Sequence, residues 1–253
     1  MAWLARVEVA GIEPLGLAMG FGRRSTYSHV ARLRRAGLLA RAFDAEGSVV
    51  AITAAGRRAV GADRGDVRAG ATHGSGLRHG RAVSWVAALL TLRGREWLSE
   101  RELRGQNGWE IPVVWAASRG RHRPDLGVVM PGQARVAVEV ELSLKSPRRL
   151  RAIFAGHEQA IASGQIAGGL IYVCDRADVL DAVSRAAERA GLPESRFRTR
   201  SLADVQAEVR RLTRELRAGR PVPPARDPNR PREGAVDARA AAIGAVDERG
   251  GVR

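Results

Sequence analysis

Two glutamates on one face of a predicted strand are the residues of this chain best suited to chemistry. They occur in RVAVEVELSLKSPRRL, residues 135–150, which also contains Lys145, the only lysine. Alternate side chains of a β-strand point to opposite faces, so Glu139 and Glu141 share a face while valines occupy the other. Closely spaced carboxylates repel each other unless a proton or a cation compensates them. Because oxygen ligands suit Mg²⁺ or Mn²⁺, the segment predicts a site for one of these ions.

A hairpin is expected to bring another carboxylate to this strand. The preceding segment HRPDLGVVM runs into PGQA, a turn that pairs the two strands. With a loop at 131–134, Asp125 lies opposite Val140, and a shift of one residue places it opposite Glu139 or Glu141. A divalent ion at such a cluster could activate water and stabilise the charge that develops on a scissile phosphate.

The charge of the chain indicates which phosphodiester this would be. A formal net charge of +15 in 253 residues favours a polyanionic partner, and double-stranded DNA is the natural one. Cys174 is the only cysteine, which excludes an intramolecular disulfide and a cysteine-based zinc site. The sequence has no secretion signal and no apolar run of membrane-spanning length. A cytoplasmic, nucleoid- or plasmid-associated protein without a membrane partner is therefore expected.

Residues 1–60 are expected to form a small unit of their own. The pattern predicts a helix over 13–19, then a turn, then a second helix that is capped by Ser25 or Thr26 and followed by Gly37. The segments LLARAF and SVVAIT, separated by DAEG, predict a β-hairpin. Helix, turn, helix and hairpin in this order resemble a winged helix-turn-helix domain.

The second helix of this unit would enter the major groove of DNA, with its N-terminal residues nearest the bases and its arginines on phosphates. The alternatives are a solvated arginine face or a winged domain that contacts proteins. The residues predicted to bind DNA are Arg23, Arg24, Ser25, Thr26, Tyr27, Ser28, Arg32, Arg34 and Arg35.

The rest of the chain divides into a linker, an α/β domain and a tail. Residues 61–78 are rich in Gly, Ala and charge, and 219–253 are rich in Pro, Gly and Arg, which predicts a linker and a disordered tail. Between them, 79–218 alternates predicted strands and helices, as in an α/β sandwich with a mixed sheet. The strands are expected at 111–115, 126–130, 136–142, 168–174 and 197–201, and the helices at 80–93, 147–163, 176–190 and 202–218. His157 and Gln159 could face the active edge of the sheet, but a solvated helix face is the favoured expectation. His79 and His122 could approach the site or a phosphate, but ordinary turn or surface histidines are the favoured expectation.

The motifs SEREL, RPDL and VEVEL, in this order, resemble the PD-(D/E)XK nuclease superfamily. Together with the winged helix, the arrangement is similar to the replication-relaxation family of plasmids and other mobile elements. The resemblance implies a restriction-endonuclease-like domain in which Glu100, Asp125 and Glu139 bind the metal ion. It also implies a catalytic site, which here would comprise Asp125, Glu139, Glu141 and Lys145.

The chain departs from the superfamily pattern where the pattern has lysine, two residues after the strand acid. Glu141 occupies that position, and on a straight strand Lys145 lies roughly 20 Å from Glu139. The turn at Ser146 and Pro147 could fold Lys145 back. The carboxylates and the charge predict a Mg²⁺- or Mn²⁺-dependent DNA endonuclease, and the resemblance implies that it acts in plasmid or mobile-element replication. The alternatives are a catalytically inactive replication accessory factor or transcriptional regulator, and a protein-interaction adaptor. A homodimer or a replication or mobilisation protein is the further partner to consider.

Overall fold

A computed structural model of the protein describes residues 1–44, 46–62, 75–115 and 118–220. Most of the predicted linker and the predicted tail beyond residue 220 lie outside the described residues. No helix in the described ranges is both long enough and apolar enough to cross a membrane. The N-terminal elements are α1 (Ala2–Val7), β1 (Val9–Gly11), α2 (Ile12–Ala18), α3 (Arg23–Arg35), β2 (Leu39–Asp44), β3 (Gly47–Ile52) and α4 (Ala54–Ala59).

Strands and helices alternate in the remaining chain. The first of these elements are α5 (Ser75–Leu92), β4 (Glu96–Ser99), α6 (Glu100–Arg104), β5 (Ile111–Trp115), β6 (Ser118–His122), β7 (Leu126–Val129) and β8 (Arg135–Glu141). They are followed by α7 (Pro147–Ala162), β9 (Gly169–Cys174), α8 (Ala177–Arg189), β10 (Phe197–Ser201) and α9 (Leu202–Arg217).

In the N-terminal unit, β2 and β3 form the predicted hairpin, and β1 extends it to a three-stranded antiparallel sheet. Thr53 caps α4, because its side chain accepts a hydrogen bond from the backbone N–H of Gly56 at 3.0 Å. The predicted cap of α3 is wrong. Gly22 is the N-cap, and α3 begins at Arg23, so the serine and threonine that follow lie inside the helix.

A mixed five-stranded sheet in the order β10-β9-β8-β7-β4 forms the centre of the α/β part. The strands β10, β9 and β8 are parallel to each other, while β7 and β4 are antiparallel to their neighbours. The α/β class with a mixed sheet is thus confirmed. The predicted strand 111–115 is present, but it pairs with β6 in a separate two-stranded ribbon. The sequence reading also missed α1, β1, β4 and β6.

The two faces of the central sheet have different coverings. On one face, the valines of β8 pack with α5 and α9 in a core that extends to Leu4 and Val30 of the N-terminal unit. On the other face, Ala137, Leu170 and Tyr172 pack with residues of α7 and α8. Helix α5 starts five residues earlier than predicted and joins the two parts of the chain. Gly80 allows this approach, because a Cβ there would lie 2.8 Å from Cβ of Val9.

Candidate functional site

The candidate site lies at the edge of the sheet where β8 and β9 end and the antiparallel β7 begins. Leu126 pairs with Val138, so the next position of the register places Asp125 beside Glu139. The shifted register is therefore the correct one, and the pairing of Asp125 with Val140 was wrong by one residue. Asp125 is fixed there by its Oδ2 atom, which accepts a hydrogen bond from the backbone N–H of Val140 at 2.8 Å.

Glu139 is a buried carboxylate that lies between two histidines. It is only 6% exposed, and its Oε1 atom is 2.6 Å from Nε2 of His122 and 3.5 Å from Nε2 of His157. Burial alone would raise the pKa of Glu139, but above all the charge of His122 and its hydrogen bond to this carboxylate outweigh burial and lower the pKa to about 2. Burial lowers the pKa of His122, yet the Glu139 carboxylate outweighs it and leaves this pKa raised. Glu139 is therefore ionised.

His157 reaches this carboxylate because α7 packs very closely on the β5–β6 ribbon. A Cβ at the neighbouring Gly156 would lie 2.6 Å from the backbone oxygen of Pro112, so only glycine allows this approach. His157 is fully buried, which corrects the expectation of a solvated helix face, whereas Gln159 is exposed as predicted. Burial lowers the pKa of His157, so the ring is held neutral.

Asp125 forms a second carboxylate–imidazole pair with His79, which lies near the start of α5. Its Oδ1 atom is 2.9 Å from Nε2 of His79, whose side chain is 41% exposed. Burial acts to lower the pKa of His79, but the charge of Asp125 and the hydrogen bond to it raise this pKa above the ordinary value. The helix that joins the two parts of the chain thus contributes a titratable group to the site.

Lys145 folds back onto the strand, in an ion pair between its Nζ atom and Oε2 of Glu141. The turn between β8 and α7 makes this possible, since Ser146 caps α7 and Pro147 is its first residue. Burial lowers the pKa of Lys145, although the carboxylates of Glu139 and Asp125 act in the opposite direction. The separation of roughly 20 Å between Lys145 and Glu139, which a straight strand would impose, therefore does not apply.

Glu100, the third predicted metal ligand, adjoins Asp125 through its backbone. Its backbone N–H donates to the backbone oxygen of Asp125 at 3.0 Å, so the two residues are neighbours. Its side chain instead lies 3.7 Å from Arg104 and 4.0 Å from Arg123. Within the described ranges, the residues whose ligand atoms converge are His122, Glu139 and His157, all within 4.8 Å of one another. The all-carboxylate set of Glu100, Asp125 and Glu139 stays a prediction, with Asp125 and Glu139 side by side in the register.

Most of the residues predicted to bind DNA lie on the exposed surface of α3. Thr26 is the exception, being only 3% exposed. Its Oγ1 atom donates to the backbone oxygen of Gly22 at 2.9 Å, and its side chain packs against Gly16 of α2. Thr26 therefore holds the two helices together instead of facing a ligand. The exposed residues are Arg23, Arg24, Ser25, Tyr27, Ser28, Arg32, Arg34 and Arg35.

Arginines also line an open groove on the outer face of the β5–β6 ribbon. The groove has a volume of about 890 Å³, and its lining includes Arg104, Arg119 and Arg121. His122 belongs to the same strand but pairs with the buried Ile111, so it points inward while Arg121 points outward.

The histidines are the functional candidates that sequence reasoning undervalued. For His157 a signal was present, because it continues the spacing of Leu150, Ile153 and Phe154 along the buried stripe of α7. A histidine within an apolar stripe is buried and needs a partner. For His122 the signal is weaker, since its ribbon was not recognised.

Comparisons of the chain with protein-family models, with curated proteins and with solved structures find no match.

Proposed function

We propose that the protein binds double-stranded DNA through its N-terminal unit and hydrolyses a phosphodiester bond at the carboxylate edge of its central sheet, with a divalent cation. In this proposal, residues 1–60 act as a winged helix-turn-helix and the mixed sheet acts as a nuclease-like domain. Plasmid or mobile-element replication is the setting that the sequence motifs suggest.

The observation that carries the proposal is the assembly of Asp125, Glu139 and Lys145 at one edge of the sheet. The two carboxylates come from adjacent strands, and the lysine lies close enough for both to influence its pKa. Anionic oxygens can hold a divalent cation, which activates water and offsets negative charge on a phosphate. The lysine adds a positive charge that can stabilise the pentavalent transition state.

The exposed arginines of α3 and the hairpin support DNA binding. All five predicted phosphate-contacting arginines of α3 are exposed, and Phe43 of the hairpin is 67% exposed, with the guanidinium of Arg41 4.7 Å from its ring centre. Phosphate contacts by such arginines bind DNA with little regard to sequence. Arg81 of α5 forms an ion pair with Asp44 of the hairpin, two residues from His79. The proposed DNA-binding unit and the proposed cleavage edge are thus connected through one helix.

The second candidate function is a DNA-binding accessory factor or regulator that does not cleave. Glu141 stands where the superfamily pattern has lysine, and Lys145 is paired with Glu141. Asp125 and Glu139 are also hydrogen-bonded to histidines, which is a stable arrangement without any ion.

A supercoiled-plasmid assay with Mg²⁺ or Mn²⁺ separates these two functions. We expect the wild type to relax or linearise the plasmid, and Asp125→Asn and Glu139→Gln to reduce the rate at least 100-fold. Glu96→Gln is the matched control, since Glu96 is an exposed carboxylate at the opposite edge of the same sheet. Intact, salt-sensitive DNA binding without cleavage would support the accessory factor. The absence of salt-sensitive binding would contradict both functions.

A further inference from the structure

We propose that His122, Glu139 and His157 bind a first-row transition-metal ion of the Zn²⁺ class in preference to Mg²⁺. The inference deepens the proposed function, on which it rests, because it names the cation that this site selects. It differs from the all-oxygen site expected from the sequence, since two of the three ligands are imidazole nitrogens. Imidazole nitrogen suits Zn²⁺ and its neighbours, whereas Mg²⁺ prefers oxygen.

The distances fit one ion among three protein ligands. With ion–ligand distances of about 2.1 Å, neighbouring ligand atoms lie roughly 3.0 to 3.4 Å apart. Oε1 of Glu139 is 2.6 Å from Nε2 of His122 and 3.5 Å from Nε2 of His157, and the three ligand atoms all lie within 4.8 Å of one another, so shifts of roughly 1 to 1.5 Å give this spacing. The two imidazole rings are nearly perpendicular, at 89°, with centres 5.4 Å apart. Both can therefore direct a nitrogen toward the same carboxylate oxygen.

His157 supplies an independent observation that points to a ligand. Its ring is fully buried, and neither Nδ1 nor Nε2 has a hydrogen-bond partner among the described residues. The 3.5 Å contact with Glu139 is too long for a good hydrogen bond. A buried polar atom without a partner costs about 1 to 3 kcal/mol. An ion on Nε2 would satisfy the atom that points toward Glu139.

The surroundings of the three residues suit a metal site. Each residue is supplied by a different regular element, β6, β8 or α7, so the ligands are held by the fold and not by a loop. The rings of Phe154 and Tyr172 lie 6.3 Å from that of His157 and shield it on the buried side. The His122 side chain is 21% exposed, which leaves an approach for water or substrate. Three protein ligands with an accessible fourth position are typical of catalytic zinc sites.

Metal titration of the full-length chain by calorimetry, without a histidine tag and without DNA, tests the inference directly. We expect one Zn²⁺ per chain, bound at least 100-fold more tightly than Mg²⁺. His122→Gln and His157→Gln should each weaken Zn²⁺ binding at least ten-fold. The matched control is His29→Gln, because His29 is a histidine on α3 that lies outside the converging group. Co²⁺ should give a visible ligand-field band that both site variants lose.

Equal Zn²⁺ affinity in the wild type and in folded His122→Gln would overturn the inference. This variant decides the outcome if circular dichroism shows that His157→Gln does not fold. The plasmid assay keeps the two proposals apart. Tight Zn²⁺ binding without cleavage supports the metal site and contradicts hydrolysis. Cleavage in Mg²⁺ that needs Asp125 and Glu139, without a preference for Zn²⁺, contradicts the metal inference and supports hydrolysis.

Discussion

The two faces of strand β8 are equally buried but chemically opposite. Val136, Val138 and Val140 are each at most 4% exposed and pack in the core beneath α5 and α9. Glu139 and Glu141, which alternate with them, are 6% and 5% exposed on the other face. Burial stabilises the valines directly, whereas it penalises the carboxylates unless cations or hydrogen-bond donors accompany them.

The difference between these faces shows how the fold accommodates a charged interior. The apolar face needs only side chains of suitable volume, which many sequences can provide. The polar face needs specific partners: His122 and His157 at Glu139, and Lys145 at Glu141. Charged groups that are buried and held in this way are more typical of functional sites than of structural cores. We therefore expect the first face to govern stability and the second to govern activity.

The largest contrast in stability is expected between substitutions of Leu126 and Asp125. These residues are neighbours in the chain, but they lie on the apolar and the polar face of the sheet. Leu126 is fully buried in the apolar core, and Leu126→Ala should lower the free energy of unfolding by about 3 kcal/mol. Asp125→Asn should cost only about 1 kcal/mol, because asparagine can still accept the hydrogen bond from Val140. Urea denaturation of both variants measures the difference. A larger loss for Asp125→Asn than for Leu126→Ala would reverse the assignment of the two faces.

Breaking the ion pair between Lys145 and Glu141, on the polar face, should have a smaller effect on the unfolding free energy than Leu126→Ala. Lys145→Met leaves the Glu141 carboxylate, 7% exposed, without its cation and should lower the unfolding free energy by about 2 kcal/mol. Glu141→Gln should restore part of that loss, since the double variant buries no charge. A double-mutant cycle in urea at pH 7 should give a coupling of about 1 kcal/mol. Zero coupling would mean that the ion pair does not form in solution.

The sequence was informative where a short-range pattern determines the structure. The alternation of residues 135–141 predicted both faces of β8, and the Ser146–Pro147 pair predicted the start of α7, where the chain turns back. The register of Asp125 was uncertain by one residue, because the length of a hairpin loop is not fixed by a Pro-Gly turn alone.

The histidines that pair with the carboxylates could not be predicted from short-range patterns, because the pairing depends on contacts between residues that are far apart in the sequence. His122 and His157 meet Glu139 only after the β5–β6 ribbon has formed and α7 has packed on it through Gly156. The ribbon strand SRGRH has little β-branched or apolar character, so propensity does not reveal it. His79 reaches Asp125 because α5 begins at Ser75, within the segment that composition assigned to a linker.

The pKa of His79 offers the smallest and most local test of the polar face. The Asp125 carboxylate raises this pKa, so the pair stabilises the fold fully below the ordinary histidine value of about 6.5. The contribution is lost as the pH rises through the raised pKa. It should be small, since the His79 side chain is 41% exposed. Proton NMR titration of the imidazole should show a pKa above the ordinary value in the wild type.

Asp125→Asn should lower the pKa of His79, because the variant removes the largest of the charges that oppose the effect of burial. Glu96→Gln, at the far edge of the sheet, should leave it unchanged. If Asp125→Asn does not change this pKa, the two side chains are not paired in solution. The polar edge would then consist of Glu139 with its two histidines and Glu141 with Lys145, and α5 would serve the site only as a scaffold.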